Sequence, residues 1–537
     1  MKRSTLLWFI AVTAILLVIL WWWRNNRNTT PEDPTQKSHD AKSSTVRPNK
    51  TKGKQYPPYT PTREDPNMDK PYKVPDGPLR GDLKPHFPKI DLKQIPLDSS
   101  GKPINPAGAA VDFYQFNNQA NGNGVNMTPD VNAAANAGVV LYSYNSRAKL
   151  STDSGRTFTI IDPTTFFPSG PVNDGAGNNI SGGFCCDQVI QYVPSVDRFI
   201  WFMQFCGNGA GGCLSGSNII RVAAASTADV ISSGGTSWTY WDITSTQVGA
   251  TTGALDYPDV AVGNNSIYIS SDAVGTGLIV MRLPLNEIKN GSGFTFWFTN
   301  AGDGATAYGG HVSQNTGDEV FWAGHVSNSQ MRLFSWKETE TVYYWRDRNI
   351  NSWTQAYSSN TPSGINWLAF GFPGNAVIGL TRKGGEVWYA WNAGAGGGFT
   401  NAQIQVVKVR TSDYTVTEQM QIWNNDYAFA YPCFSTNSDG EVGISLGWGG
   451  KTTEAHHAAG FMGDFVVYYP RLSASSVARY GDYTSIRRFN ANGRWFDAAG
   501  YTTQNNPPPA GGQFQDVHYI VFGRPGSDKG GGAPGNK

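Results

Sequence analysis

From about Val111 to Gly523 the chain alternates apolar and polar residues in short runs, broken by Gly, Asn, Asp and Ser. That period of two marks half-buried β-strands joined by tight turns. No run sustains an amphipathic helix beyond about two turns, and Leu283–Lys289 reads as a short helical turn at most. One element recurs along this stretch: a polar or Pro-containing lead-in, a strand, a turn and a second strand. It reads CDQVIQYVPSVDRFIWFMQF from Cys186, DYPDVAVGNNSIYISSD from Asp256 and GHVSQNTGDEVFWAGH from Gly310. It returns as WLAFGFPGNAVIGLTR from Trp367, AYPCFSTNSDGEVGISLGW from Ala430 and YGDYTSIRRFNANGRWFDAAGY from Tyr480. A second element, Gly or Ser before an aromatic–Thr strand start, falls later in the early units, as at Ser237-Trp238-Thr239 and Ser352-Trp353-Thr354.

Two hairpins per unit make four strands per unit. With a first unit around Val139, this predicts an all-β domain over 111–523, a six- or seven-bladed β-propeller of four-stranded blades. A large sandwich or two β domains is the competing architecture. Composition agrees with many strands: 62 Gly, 18 Trp, 24 Tyr and 27 Phe, with only 15% of residues charged.

The pattern ahead of this domain differs. Lys2 and Arg3 precede the apolar run Leu6–Trp23, which ends in Trp21, Trp22, Trp23 and Arg24. Its 18 residues span about 27 Å as a helix, close to a bilayer core, and the Trp cluster suits a membrane interface. Residues 1–23 are therefore expected to be a short tail and a transmembrane signal-anchor, with the carboxyl side outside the cytoplasm. Residues 24–110 hold 15 of the 31 Pro and 16 Lys/Arg against 10 Asp/Glu. With little apolar periodicity, they are expected to form a basic disordered stalk. Residues 524–537 read as a flexible Gly/Pro tail.

The stalk and the two N-terminal cations are basic, so the body carries the acidic balance and nucleic acid is excluded as a partner. Five cysteines, Cys185, Cys186, Cys206, Cys213 and Cys433, show no CxxC spacing. Cys206 and Cys213 flank GNGAGG and are the candidate disulfide. Adjacent Cys185 and Cys186 are expected not to bond to each other, because the ring is strained, and Cys186 with Cys433 is a guess.

Ser151-Thr152-Asp153-Ser154-Gly155-Arg156-Thr157-Phe158 matches S-x-D-x-G-x-T-[FW] and resembles the Asp-box (BNR) repeat of sialidase-like β-propellers. The resemblance implies a turn between the outer strands of a blade. Asp153 accepts backbone N–H bonds there, Gly155 takes positive φ and Phe158 packs between blades. Ser151 and Thr157 complete the box. It transfers fold, not activity, since no Arg-Ile-Pro segment is present. Arg221, Arg282, Arg332 and Arg382 cannot be assigned to a substrate-binding triad.

Given the fold, the lead-in residues crowd one mouth of the central channel. Catalytic candidates are Asp187, Asp259, Asp426 and Asp482, and binding candidates are Asp256, Tyr257, His311, Tyr431 and Tyr483. Converging carboxylates have three readings: a hard cation such as Ca²⁺, an acid and base for glycosidic cleavage, or acceptors for backbone N–H groups. Trp322, Trp345, Trp388, Trp391 and Trp448 are candidates for a glycan- or protein-binding surface. The leading functional expectation is a membrane-held surface module that binds glycan or protein. The alternatives are a sialidase-like glycoside hydrolase or lyase, and a structural envelope protein.

Overall fold

The computed structural model describes residues 33–53, 55–57, 74–77, 85–120, 130–145, 147–207, 216–250, 253–355, 358–369, 374–506 and 511–527. The signal-anchor, Cys213 and the tail beyond 527 lie outside the described residues. Among the described residues no helix is long and apolar enough to cross a membrane.

Seven antiparallel sheets form the blades of a β-propeller. Blade I runs Asn132–Asn136, Val139–Tyr144, Arg147–Ser151 and Thr159–Ile161 from axis to rim. The innermost strands of blades II, III, V, VI and VII are Phe184–Val193, Leu255–Val262, Val377–Lys383, Ala428–Thr436 and Ser485–Arg488. In blade IV the axial strand is an irregular segment ahead of Glu319–Ser327. There the Ser313 N–H donates to Phe321 O at 2.8 Å, and Gln314 pairs with Thr381 of blade V. Blade VII takes its outermost strand from the other end of the domain: Asp112–Ala120 pairs antiparallel with Gln513–Gly523, closing the ring at its rim.

Alternation along each strand sends one set of side chains to each neighbouring blade. The result is one apolar layer at every blade interface. Blades I and II share Leu141, Ile190, Trp201 and Trp238; blades IV and V share Phe321, Leu333, Tyr389 and Trp391. Each such side chain stabilises the fold by about 1.5–3 kcal/mol on full burial. The abundant Trp residues serve this packing: Trp322, Trp345, Trp388, Trp391 and Trp448 are all buried. They are therefore not the exposed aromatic surface the sequence left open for them.

The turn at Ser151–Phe158 lies where the resemblance placed it, between the two outer strands of blade I. The N–H groups of Arg156 and Thr157 donate to Asp153 Oδ1 at 3.0 and 2.9 Å, and Thr157 Oγ1 donates to Oδ2 at 2.6 Å. Gly155 has φ +80°, and Phe158 packs on the layer between blades VII and I.

The described parts of 24–110 depart from the expected spacer. Lys37–Asp40, Lys42–Val46 and Asn49–Lys50 add antiparallel edge strands to the rims of blades IV, III and II in turn. Asp91–Gln94 adds a parallel one to blade VI. Exposed sheet edges offer unpaired backbone groups, and these strands satisfy them. A helix at Thr227–Ser233 was not foreseen, whereas the expected turn at Leu283–Lys289 is the helix Leu285–Asn290.

Two of the cysteine expectations fail. Cys185 and Cys186 are bonded to each other, and Cys433 is buried and free. Here the pairing passes from Phe184↔Phe205 to Gln188↔Met203, so three residues face one across the ladder. That wide bulge bends the backbone enough for adjacent sulfurs to meet.

Candidate functional site

The lead-in segments break register where they reach the axis. In blade III pairing skips from Asp256 to Asp259, and in blade VI from Ala430 to Cys433. Each skip holds a Tyr-Pro pair whose tyrosine has positive φ, +53° at Tyr257 and +57° at Tyr431. Such bulges turn side chains out of the ladder, here toward the channel. Gly481 serves the same end in blade VII: a Cβ there would lie 2.9 Å from Asp130 Oδ1.

Three carboxylates from three blades meet at this mouth. One ligand oxygen from each of Asp130, Asp187 and Asp482 lies within 4.8 Å of the others, and all three residues are buried. The Asp482 N–H donates to Asp130 Oδ1 at 2.6 Å, and Asn145 Nδ2 donates to Asp130 Oδ2 at 2.7 Å. Arg479 grips Asp482 with Nε at 3.2 Å and Nη2 at 2.5 Å. This all-oxygen donor set is the chemistry a hard cation takes. Tyr257 lies alongside, its hydroxyl donating to the Asp482 carbonyl at 3.0 Å, and the Tyr483 hydroxyl donates to Gln188 O at 3.4 Å. Burial, and after it the neighbouring aspartates, push both phenols well above their ordinary range, so they act as donors.

A second tier lies one step along the axis. Asp259 Oδ1 is 3.7 Å from Arg487 Nη2, and Oδ2 is 3.9 Å from His311 Nδ1. The His311 ring lies 5.1 Å from that of Tyr257. Burial lowers the pKa of His311, and the Asp259 charge opposes that shift only in part, so the imidazole is neutral near pH 7. Cys433 faces Arg487, and burial raises its thiol. Trp367, Tyr431, Tyr480 and Tyr501 form an aromatic wall beside the acids, with Tyr480 and Tyr501 stacked at 4.6 Å.

The structure thus gathers Asp187, Asp256, Tyr257, Asp259, His311, Tyr431, Asp482 and Tyr483 around the axis, all buried. It does not bring Asp426 to them. That residue is exposed in the turn before Ala428–Thr436, its N–H donating to Asn424 Oδ1. Sequence reasoning missed Asp130, Arg479 and Arg487. Arg479 and Arg487 flank the blade VII lead-in YGDYTSI, and Asp130 precedes the first blade in the same way as the recognised acids precede theirs. The four arginines left unassigned are structural: Arg221 pairs with Asp242, Arg332 with Asp347 and Arg382 with Asp318, while Arg282 donates to the carbonyls of Lys337 and Glu340. His456 and His457 serve opposite faces of one strand. His456 Nε2 meets Thr453 Oγ1, and His457 meets Ser445 and His518.

No family model matches the chain, and no curated protein matches it. Solved structures similar to it include an α-L-arabinanase of Penicillium chrysogenum complexed with arabinobiose, 9% identical at a TM-score of 0.36, covering 78% of this chain and 98% of that one. An α-L-arabinofuranosidase of Fusarium graminearum is 11% identical at a TM-score of 0.35, with 75% and 95% covered. A subtype N10 neuraminidase-like protein (little yellow-shouldered bat, Guatemala) is 10% identical at a TM-score of 0.32, with 63% and 95% covered.

Proposed function

We propose that this chain is a membrane-anchored, extracytoplasmic glycoside hydrolase of propeller architecture, with its chemistry at the channel mouth. One observation carries the reading: carboxylates of Asp130, Asp187 and Asp482 converge within 4.8 Å from three separate blades. Glycosidic cleavage needs two carboxyl groups on either side of the scissile bond. A separation of about 5–5.5 Å serves a nucleophile with an acid/base, whereas about 6.5–9.5 Å leaves room for an attacking water. Since one oxygen of each acid lies within 4.8 Å of the others, the reading takes the nucleophile geometry. The Arg479 guanidinium that grips Asp482 suits a nucleophilic carboxylate there. A second carboxyl beside it then supplies the acid and the base in turn. Asp187 is assigned the acid/base role and Asp482 the nucleophile. Tyr257 and the aromatic wall supply donors and a stacking face for a sugar ring. Residues 6–23 would hold the domain at the membrane.

The burial of all three carboxylates favours a second reading, a glycan-binding module in which the acids lock blades VII, I and II together. A hydrolysis screen with the full-length chain in detergent micelles separates the two. Aryl α-L-arabinofuranosides, sialosides and hexosides are the substrates. Turnover abolished by Asp187→Asn and Asp482→Asn, at unchanged melting temperature, supports the enzyme. Turnover on none of them, or turnover indifferent to both substitutions, removes it.

A further inference from the structure

The channel has a second mouth, where the innermost strands end. A cavity of about 570 Å³ opens there, formed where blades II, III, IV, VI and VII finish their axial strands. That is a small-molecule volume. Its lining holds two guanidinium groups, Arg487 and Arg488, and no carboxylate. Gln191, Gln314, Asn315 and Asn490 add amides around the same space.

The two arginines differ in what holds them. Arg487 is fixed: Nε donates to Gln191 Oε1 at 2.9 Å, Nη1 donates to Ile486 O at 3.0 Å, and Nη2 stands 3.7 Å from Asp259. Arg488 is exposed, and among the described residues no carboxylate pairs with it. A concave site with one unneutralised guanidinium, a second behind it and a ring of amides suits one class of ligand. Guanidinium forks bind carboxylate oxygens in pairs, and side-chain amides both donate to and accept from hydroxyls.

We infer that this far mouth is a binding site for a small acidic saccharide, a hexuronate in class, with Arg488 receiving its carboxylate and the amides its hydroxyls. The inference does not rest on the hydrolase reading, which concerns the opposite mouth. A sugar phosphate shares the anion and the hydroxyls, and inorganic phosphate shares the anion alone.

Isothermal titration of the full-length chain in micelles tests the site, with D-glucuronate, D-glucose and inorganic phosphate as probes. D-glucuronate is expected to bind saturably and more weakly at high salt. Loss of one charge-assisted contact in Arg488→Gln should weaken it about tenfold or more. Asp482→Asn, at the other mouth, should leave it unchanged, so this site and the proposed hydrolase site fail independently. D-glucose should bind at least about tenfold more weakly than D-glucuronate. If Arg488→Gln does not fold, the salt dependence and the order of the three probes on the unaltered chain decide. No saturable D-glucuronate binding, an unchanged affinity in Arg488→Gln, or phosphate binding as tightly as D-glucuronate would each overturn the inference.

Discussion

The backbone N–H of Asp482 donates to a carboxylate oxygen of Asp130 at 2.6 Å, joining positions 352 residues apart in the chain. The contact sits at the axis, where blade VII meets blade I. The ring is therefore closed twice: there, and at the rim by the pairing of Asp112–Ala120 with Gln513–Gly523. Removing the axial acceptor leaves a buried N–H without its bond, which costs about 1–3 kcal/mol. Asp130→Ala is expected to lose that much in urea-unfolding stability. Asp130→Asn keeps one carbonyl oxygen for the N–H and should lose less. An Ala variant as stable as the parent would show that the axial contact contributes nothing to closure.

Acid should destabilise the domain through its buried histidines. Burial lowers His325, His456 and His457 to about 3. The folded value lies below the ordinary 6.5, so the unfolded chain binds more protons as pH falls. Stability from each is complete above about pH 6.5 and is lost progressively toward pH 3, by a few kcal/mol in order of magnitude. His325 isolates the effect, since its ring lies 4.8 Å from both Trp353 and Trp391. His325→Phe keeps that packing without a titrating group. Its urea midpoint should fall less than the parent's between pH 7 and pH 4. Parallel pH curves for the two proteins would count against burial as the cause.

The repeat was legible because each lead-in ends in a turn-bounded hairpin, and the Asp-box-like pattern at Ser151–Phe158 placed the blade's outer turn. The blade count stayed open between six and seven for two physical reasons. Blade IV has an irregular axial strand around Ser313, and blade VII borrows its rim strand from the far end of the domain. The edge strands at Lys37–Val46 left no periodic signal. They are short, polar and mostly exposed, and backbone pairing holds them rather than an apolar face. The Cys185–Cys186 bond was hidden because spacing says nothing of a bulge. Asp187 and Asp482 at the axis were found, but not Asp130, Arg479 and Arg487, whose roles depend on which strand ends converge.

Asp497 should make the protein sensitive to base. It lies opposite Arg487 in the ladder of blade VII, and Tyr519 donates to its Oδ2 at 3.2 Å. Burial raises its pKa to about 7, against the opposing pull of Tyr519 and Arg487. A folded value above the unfolded one contributes stability that is complete below about pH 4 and lost as pH rises through about 7. Asp497→Asn is neutral throughout. The difference in unfolding free energy between variant and parent should therefore grow in the variant's favour between pH 5 and pH 9, by a few kcal/mol in order of magnitude. A difference independent of pH would mean the group does not titrate in that window.

The edge strands ahead of the domain should matter for its solubility as well as its stability. Lys37–Asp40, Lys42–Val46 and Asn49–Lys50 cover the rims of blades IV, III and II. Val46 is buried in the layer between blades II and III, and Asp33 pairs with Arg348. Without them, Val342–Asn349 and Phe294–Phe298 become open edges, free to pair with another chain. Two truncations separate this role from any loss of a membrane anchor: one lacking residues 1–32, the other lacking residues 1–54. The first should melt as a monomer. The second should melt several degrees lower, about 2–4 °C for each kcal/mol lost, and associate with rising concentration. A synthetic peptide of residues 33–53 should restore both properties in trans by strand addition. Should the shorter protein match the longer one in melting temperature and in sedimentation, these strands would be passengers on the rim and not part of what holds it closed.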